Sequence, residues 1–275
     1  MKRITIIGTV CFAIFAGFLS CKGMVYENHT ACDAYVLFDV LNSRYFNDSE
    51  VISVGTRLIN DGSELPFEQT SIGDIRSRRY FHSVEGNSSW NGFGILGYDG
   101  LIRTGYRLVS SLGDDFSPLY IFDFRLTDVV GTITAPVVFH KEHSFVKVVF
   151  TGWERTVGGL SPFKIQVVGT TCGIELLNKV PVFGEFDICP KEINAGVFQF
   201  IIPRLGDENL MLKVSLKEGV DEISVFPREI DLWSYMKVLG NVNWNLDDLP
   251  DIELYVDVTG PVYNIRLYEW DGGNT

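Results

Sequence analysis

Four short stretches of this sequence hold residue types that could do chemistry. His140-Lys141-Glu142-His143 sets two imidazoles and a carboxylate within four positions, a set able to ligate a metal from a strand or turn. In an extended strand, however, residues three apart point to opposite faces, and no third ligand follows at a recognised spacing. A solvated loop is the plainer reading. Asp247-Asp248-Leu249-Pro250-Asp251, with Glu253, is the densest acidic cluster. Calcium wants clustered oxygens and glycosidases want two facing carboxylates, but the spacing matches neither; a polar turn before a strand suffices. Ser161-Pro162-Phe163-Lys164 fits SxxK in form. A catalytic pair of that type opens a helix and has partner motifs elsewhere, whereas here a proline leads into a strand. Gly92-Phe93-Gly94-Ile95-Leu96-Gly97 fits GxGxxG, which binds a dinucleotide only between a strand and a helix. Tyr98-Asp99-Gly100 follows at once as a turn, so a glycine-rich loop or hairpin is expected. No catalytic residues, no cofactor and no metal site are therefore assigned, and no enzymatic activity on a small-molecule substrate is expected. Trp90, Trp153, Trp233, Trp244 and Trp270 could include a sugar-stacking platform, but a β-rich core uses Trp anyway and core is the better reading for most.

The remaining reactive residue is Cys21. Met1-Lys2-Arg3 is a basic start, Ile4 to Phe18 is almost unbroken apolar sequence, and Phe18-Leu19-Ser20-Cys21 closes it. This is the layout of a secretory signal peptide, and it resembles a bacterial lipoprotein signal, in which the chain is cut before the cysteine and its thiol takes the lipid. Phe18 stands where that pattern usually has Leu. The alternatives are a transmembrane anchor, short for a bilayer and followed only by Lys22, or a soluble secreted protein cut near Ser20. Every version puts the chain beyond Cys21 outside the cytoplasm. Without Lys2 and Arg3, 21 of the 23 basic residues remain against 35 acidic ones, a net charge of −14. Such a surface repels nucleic acid and anionic lipid headgroups. Cys172 and Cys189 flank an expected hairpin, so a disulfide and two free thiols both stay open.

The elements that must position these residues read as β from end to end. Strands are expected at 35–40, 119–126, 147–150, 163–168, 197–202, 210–216, 252–258 and 263–270, separated by turn residues, a rhythm that suggests β-sandwiches. One segment differs: Pro227 to Gly240 has proline and acids at its start and glycine at its end, and predicts one short helix. The turn-rich Thr156-Val157-Gly158-Gly159-Leu160-Ser161-Pro162 marks a boundary. The expected division is a signal peptide at 1–20, an N-terminal domain at 21–155 and a C-terminal domain at 156–275. No internal repeat is visible in the sequence.

The C-terminal half carries a resemblance. Phe163 to Leu176 reads as a strand, a Gly-Thr turn and a second strand. Pro181-Val182-Phe183-Gly184-Glu185-Phe186, then Phe200-Ile201-Ile202-Pro203-Arg204-Leu205, then Trp244 to Ile252 ahead of a strand, and Tyr268-Glu269-Trp270-Asp271 follow in order. This order is similar to the fimbrillin-associated anchor lipoproteins of type V pili in gut and oral Gram-negative anaerobes. It covers about residues 119–275 and the lipoprotein start; residues 41–115 match nothing comparable, and Leu205 stands where the family has a polar residue. The resemblance implies an all-β chain of two transthyretin-like β-sandwich domains, lipidation at Cys21, a place on the outer membrane, and fimbrial subunits as partners, joined when a neighbour's extended segment completes an open sheet. The alternative is a surface glycan-binding lipoprotein.

Overall fold

The computed structural model describes residues 33–58, 67–86, 88–153, 159–206, 209–218, 229–238, 242–258 and 263–268. The expected signal peptide, Cys21, Cys32, Trp270 and the first three residues of the expected boundary turn lie outside these residues. The chain is built from strands, as expected. In order they are β1 (Asp33–Val40), β2 (Val51–Leu58), β3 (Glu68–Ser71), β4 (His82–Glu85), β5 (Trp90–Leu96), β6 (Leu101–Thr104), β7 (Arg107–Ser110), β8 (Tyr120–Leu126), β9 (Thr132–Val137) and β10 (His140–Lys141). The second half adds β11 (His143–Thr151), β12 (Phe163–Glu175), β13 (Val180–Ile188), β14 (Glu192–Asn194), β15 (Val197–Pro203), β16 (Leu210–Leu216), β17 (Glu229–Asp231), β18 (Asp251–Asp257) and β19 (Tyr263–Tyr268). Two short α-helices are described: α1 (Ile72–Arg76) and α2 (Leu232–Val238). The second answers the helix expected in 227–240, trimmed because Glu229–Asp231 pairs with β16 as a strand. The first was not expected.

Four sheets form two face-to-face pairs. Sheet β4-β1-β9 covers sheet β10-β8-β5-β2-β3, and sheet β14-β15-β11-β18-β19 covers sheet β17-β16-β12-β7-β6. Each pair buries its own core. In the first, Val36 and Phe38 face Val54, Phe122 and Phe124, and the rings of Phe38, Phe122, Phe139 and Phe46 follow one another at 4.9–5.4 Å, spacings at which aromatic pairs add to area burial. In the second, Val146, Val148 and Phe150 face Phe163, Ile165 and Val167. A third apolar cluster joins the pairs: Phe93, Ile95 and Ile121 meet Leu108 of β7 with Ile174 and Leu176 of β12 and the chain beyond it. The β6–β7 hairpin leaves the first half of the sequence to pair with β12, and β11, before the expected boundary, pairs with β15 and β18.

The two pairs repeat one wiring that the sequence does not display. β1 lies between antiparallel β4 and parallel β9; β11 lies between antiparallel β15 and parallel β18. β2 lies between antiparallel β3 and β5; β12 lies between antiparallel β13 and β16. β5 then pairs with β8, and β16 with β17. Strand order along the chain is the same in both.

One local expectation changes and one open alternative closes. The Gly-Thr turn at 169–171 is not a turn: β12 runs on to Glu175, with register shifts between Gly169 and Thr171 and between Thr171 and Gly173. The glycines mark bulges. Cys172 and Cys189 are free thiols. Ile188 pairs with Val167, so Cys189 lies at the far end of the hairpin from Cys172, beyond the reach of a disulfide.

Candidate functional site

The two segments that offered chemistry in the sequence are partners of each other. Lys141, Glu142 and His143 are all buried, which overturns the solvated-loop reading. The Lys141 ammonium meets Asp251, whose Oδ1 also accepts the Phe145 N–H at 2.8 Å. Asp248 Oδ1 accepts the Lys141 N–H at 2.9 Å and lies 3.4 Å from His140 Nδ1. The acidic cluster is the expected polar bend before β18, and it is also a clamp: it fixes where β18 begins beside β11. Glu142 pairs with Arg204, Nε to Oε2 at 2.7 Å, and the rest of that guanidinium donates to the carbonyls of Trp244, Leu246 and Asp247. One buried cation therefore ties the end of β15 to the loop before β18. Burial pushes the Glu142 carboxyl up, with Arg204 opposing it, and pushes the Lys141 ammonium down, with Asp251 opposing it.

His140 and His143 stand in different surroundings. His140 is partly exposed beside Asp248. His143 is fully buried between the rings of Tyr120 and Phe145, each 5.1 Å away edge-on. Its Nδ1 lies 3.0 Å from both the N–H and the carbonyl of Leu119, and burial with Lys141 nearby pushes its pKa down to about 3. The ring is neutral, and it holds the chain entering β8. Among the described residues no three His, Cys, Asp or Glu side chains are grouped to hold a metal ion.

The other motifs are structural. Gly92 and Gly94 lie within β5 opposite Phe124 and Phe122 of β8. A Cβ at either glycine would stand 2.1–2.2 Å from the facing ring, so the glycines make room for two cross-strand phenylalanines. Ser161 is buried, with its N–H on Glu192 at 2.8 Å, while Lys164 is exposed on β12. Trp90 lies in the first core; Trp233 and Trp244 stack on each other with centroids 6.1 Å apart.

The repeat reveals a site that no motif announced. In the second sheet pair the outer side of β18 is covered by antiparallel β19 over six residue pairs. Among the described residues, β9 at the same place in the first pair has only β1 beside it. The Tyr35 and Leu41 N–H groups bond to the carbonyls of Gly131 and Val137. Alternation along a strand then aims Ile133, Ala135 and Val137 at β1, and leaves the backbone groups of Thr132, Thr134 and Pro136 on the open edge. That edge offers two N–H donors and three carbonyls, since Pro136 has no N–H. Val130, just before β9, and Leu41, beyond the far end of β1, are 64% and 62% exposed, an apolar fringe at both ends. One signal was present in the sequence: a proline within a β-rich run marks an edge strand. Arg204 left no such sign, because nothing in an apolar strand ending Pro-Arg-Leu marks a buried cation.

No helix among the described residues is long and apolar enough to cross a membrane. No protein-family model and no curated protein matches the sequence. Solved structures do. A Bacteroides thetaiotaomicron protein proposed to bind polysaccharide superimposes with a TM-score of 0.59 at 12% identity, over 89% of this chain and 100% of that one. A proposed adhesin from Bacteroides ovatus gives 0.59 at 11%, over 88% and 97%. The fimbrial anchor protein Mfa2 of Porphyromonas gingivalis gives 0.56 at 14%, over 86% and 97%. At these identities the likeness is one of fold alone.

Proposed function

We propose that the protein is a structural, non-enzymatic fimbrial anchor or accessory subunit, tethered to the outer membrane through acylated Cys21 and facing the cell surface. Its partners are fimbrial subunits, and it accepts a neighbour's extended segment along β9. The observation that carries this reading is the open β9 edge, set against the same position filled by β19 in the second sheet pair. An incoming antiparallel strand would find main-chain partners at Thr132 and Thr134 and give the first sheet the strand that the second already has. The neighbours' fold supports the role, and the lipoprotein-like start supports the tether. We further propose that the mature chain divides into two sandwich units; strand pairing supports assigning β11 to the second, so that the division falls just before His143.

Two experiments test this. Cys21→Ala should release the protein from the outer-membrane fraction; continued fractionation with that membrane removes the tether. Thr134→Pro deletes an edge N–H without touching the β1 ladder, and should abolish co-purification of fimbrial subunits while leaving the thermal midpoint near wild type. Unchanged co-purification rejects β9 as the acceptor.

A further inference from the structure

Lys141 differs from the other described lysines that pair with a carboxylate. The side chains of Lys147, Lys179 and Lys217 are 46%, 26% and 27% exposed, so water shares their charge; that of Lys141 is 1% exposed. Taking a charge out of water is costly, and the attraction within a buried pair often fails to repay it. A bond that discharges both partners would remove that cost.

The geometry places the reacting groups together. The Lys141 ammonium donates to Asp251 Oδ1, and the same oxygen accepts the Phe145 N–H at 2.8 Å. The Phe145 ring centre lies 5.7 Å from Nζ, so the amine sits against an apolar wall. Burial pushes the Lys141 ammonium down against the pull of Asp251 and Asp248, toward the neutral amine that a nucleophile must be. We propose that Lys141 and Asp251 condense to an amide, a covalent modification that joins β10 to the first residue of β18 across 110 positions of sequence. A proton passes from Nζ to the carboxylate, leaving an amine and an acid. The Nζ lone pair attacks Cγ, and Oδ1, held by the Phe145 N–H, stays as the amide oxygen. The Cγ–Oδ2 bond breaks and Oδ2 leaves as water with two of the three ammonium protons; the third stays on the amide nitrogen. The ion pair supplies every atom, and no oxidant or reductant is needed. The Asp251 side chain is 30% exposed, which gives the water an exit. Groups held in contact react at effective concentrations of about 10⁵–10⁸ M, which favours a condensation that dilute solution does not. The product keeps the Phe145 bond and buries no charge. It fixes the start of β18 whether or not β9 accepts a strand.

The test is a tryptic map of the full chain, recovered from membranes and denatured before digestion. An acylated Lys141 resists trypsin, so residues 126–147 should appear joined to residues 238–266, lighter than the two peptides together by one water. Lys141→Arg keeps the cation but cannot condense, and Asp251→Ala removes the acid; each should give the separate peptides only. On a denaturing gel the closed wild-type loop should run ahead of both variants. A wild-type map with only separate 126–141, 142–147 and 238–266 peptides overturns the proposal. So does a joined peptide that survives Asp251→Ala, which would move the bond to another carboxylate. The wild-type map decides alone, so a variant that fails to fold leaves the test intact.

Discussion

The two sheet pairs lay down their strands in the same order and pairing, yet they finish differently. In the second, β18 is covered by β19, and the far edge of the sheet is covered by β14. In the first, both places are bare among the described residues, leaving a three-stranded sheet over a five-stranded one. An open edge is therefore not a consequence of the wiring, since the same wiring closes elsewhere in the molecule. Edges are a hazard that proteins ordinarily blunt, and β9 is blunted only in part: Pro136 removes one donor, while Thr132 and Thr134 keep theirs. The parallel strands are also pinned by different means. β11 and β18 are pinned at their start by Lys141, Asp248 and Asp251. β1 and β9 are pinned at their end by a neutral exchange, Asn42 Nδ2 to the Phe139 carbonyl at 2.9 Å and the Phe139 N–H to Asn42 Oδ1 at 3.0 Å.

That contrast gives the largest expected effect. Arg204→Met would leave Glu142 buried without its counter-ion, and breaking one side of a buried pair costs about 3–5 kcal/mol. Asn42→Ala removes neutral hydrogen bonds at a partly exposed site and should cost about 1–2 kcal/mol. Chemical denaturation followed by tryptophan emission separates the two. The double variant Glu142→Leu/Arg204→Met should recover much of the loss, because no charge is then stranded. Equal costs at Arg204 and Asn42 would mean that the ionic clamp is not what distinguishes the second pair.

Next in size is a pair of prolines on β9. Ile133 points its N–H at β1 and Thr134 points its own away. Ile133→Pro should cost about 3 kcal/mol through a broken ladder bond and a stranded carbonyl, whereas Thr134→Pro should cost under about 1 kcal/mol. Thermal unfolding of both variants reads the difference. If Thr134→Pro is as damaging as Ile133→Pro, the outer edge of β9 is already occupied and the first pair is not open.

Each pair also buries a histidine, in opposite electrostatic company. His82 Nδ1 lies 2.9 Å from Glu68 and its Nε2 lies 3.2 Å from the Thr56 hydroxyl. Burial lowers its pKa and Glu68 resists. His143 has Lys141 nearby, which adds to the effect of burial and brings its pKa down to about 3. A histidine whose folded pKa is depressed lets the unfolded chain bind the extra proton, so its contribution is whole above the unfolded value near 6.5 and is lost as pH falls toward the folded one. Between pH 7 and pH 5 the loss from His143 should be about 2 kcal/mol. His143→Asn keeps an acceptor for the Leu119 N–H and should flatten that acid slope in denaturant titrations at stepped pH. His82→Asn should flatten it less, because Glu68 offsets part of the shift.

What was legible in the sequence follows from one-sided burial. β18 and β15 alternate and were expected nearly to the residue, because one face of each meets the core. β5 was missed because most of its residues are buried on one face or the other, Phe93 and Ile95 in the joining cluster and Trp90 in the first core, and because Gly92 and Gly94 imitate a loop while seating Phe124 and Phe122. β12 was cut short for the same reason, its glycines being bulges. The His-Lys-Glu-His and Asp-Asp-Leu-Pro-Asp segments were noticed singly. Their pairing across more than a hundred residues depends on the parallel β11–β18 register, which no local pattern encodes. The repeat was invisible because hydrogen-bonded wiring can recur without recurrence of residue types.

The smallest expected effect concerns the helices, which use one capping pair in reversed order. At α1, Ser71 Oγ accepts the Asp74 N–H at 3.0 Å and its hydroxyl donates to Asp74 Oδ2 at 2.9 Å. At α2, Asp231 Oδ1 accepts the Ser234 N–H at 3.0 Å and its Oδ2 takes the Ser234 hydroxyl at 2.6 Å. Both satisfy an N–H that the first turn leaves without a partner. Ser71→Ala should cost about 1 kcal/mol. Asp231→Ala should cost slightly more, since the carboxylate also faces the positive end of the helix dipole, and only that excess should shrink with added salt. Equal costs at the two caps that respond alike to added salt would mean that the helix dipole contributes nothing at α2.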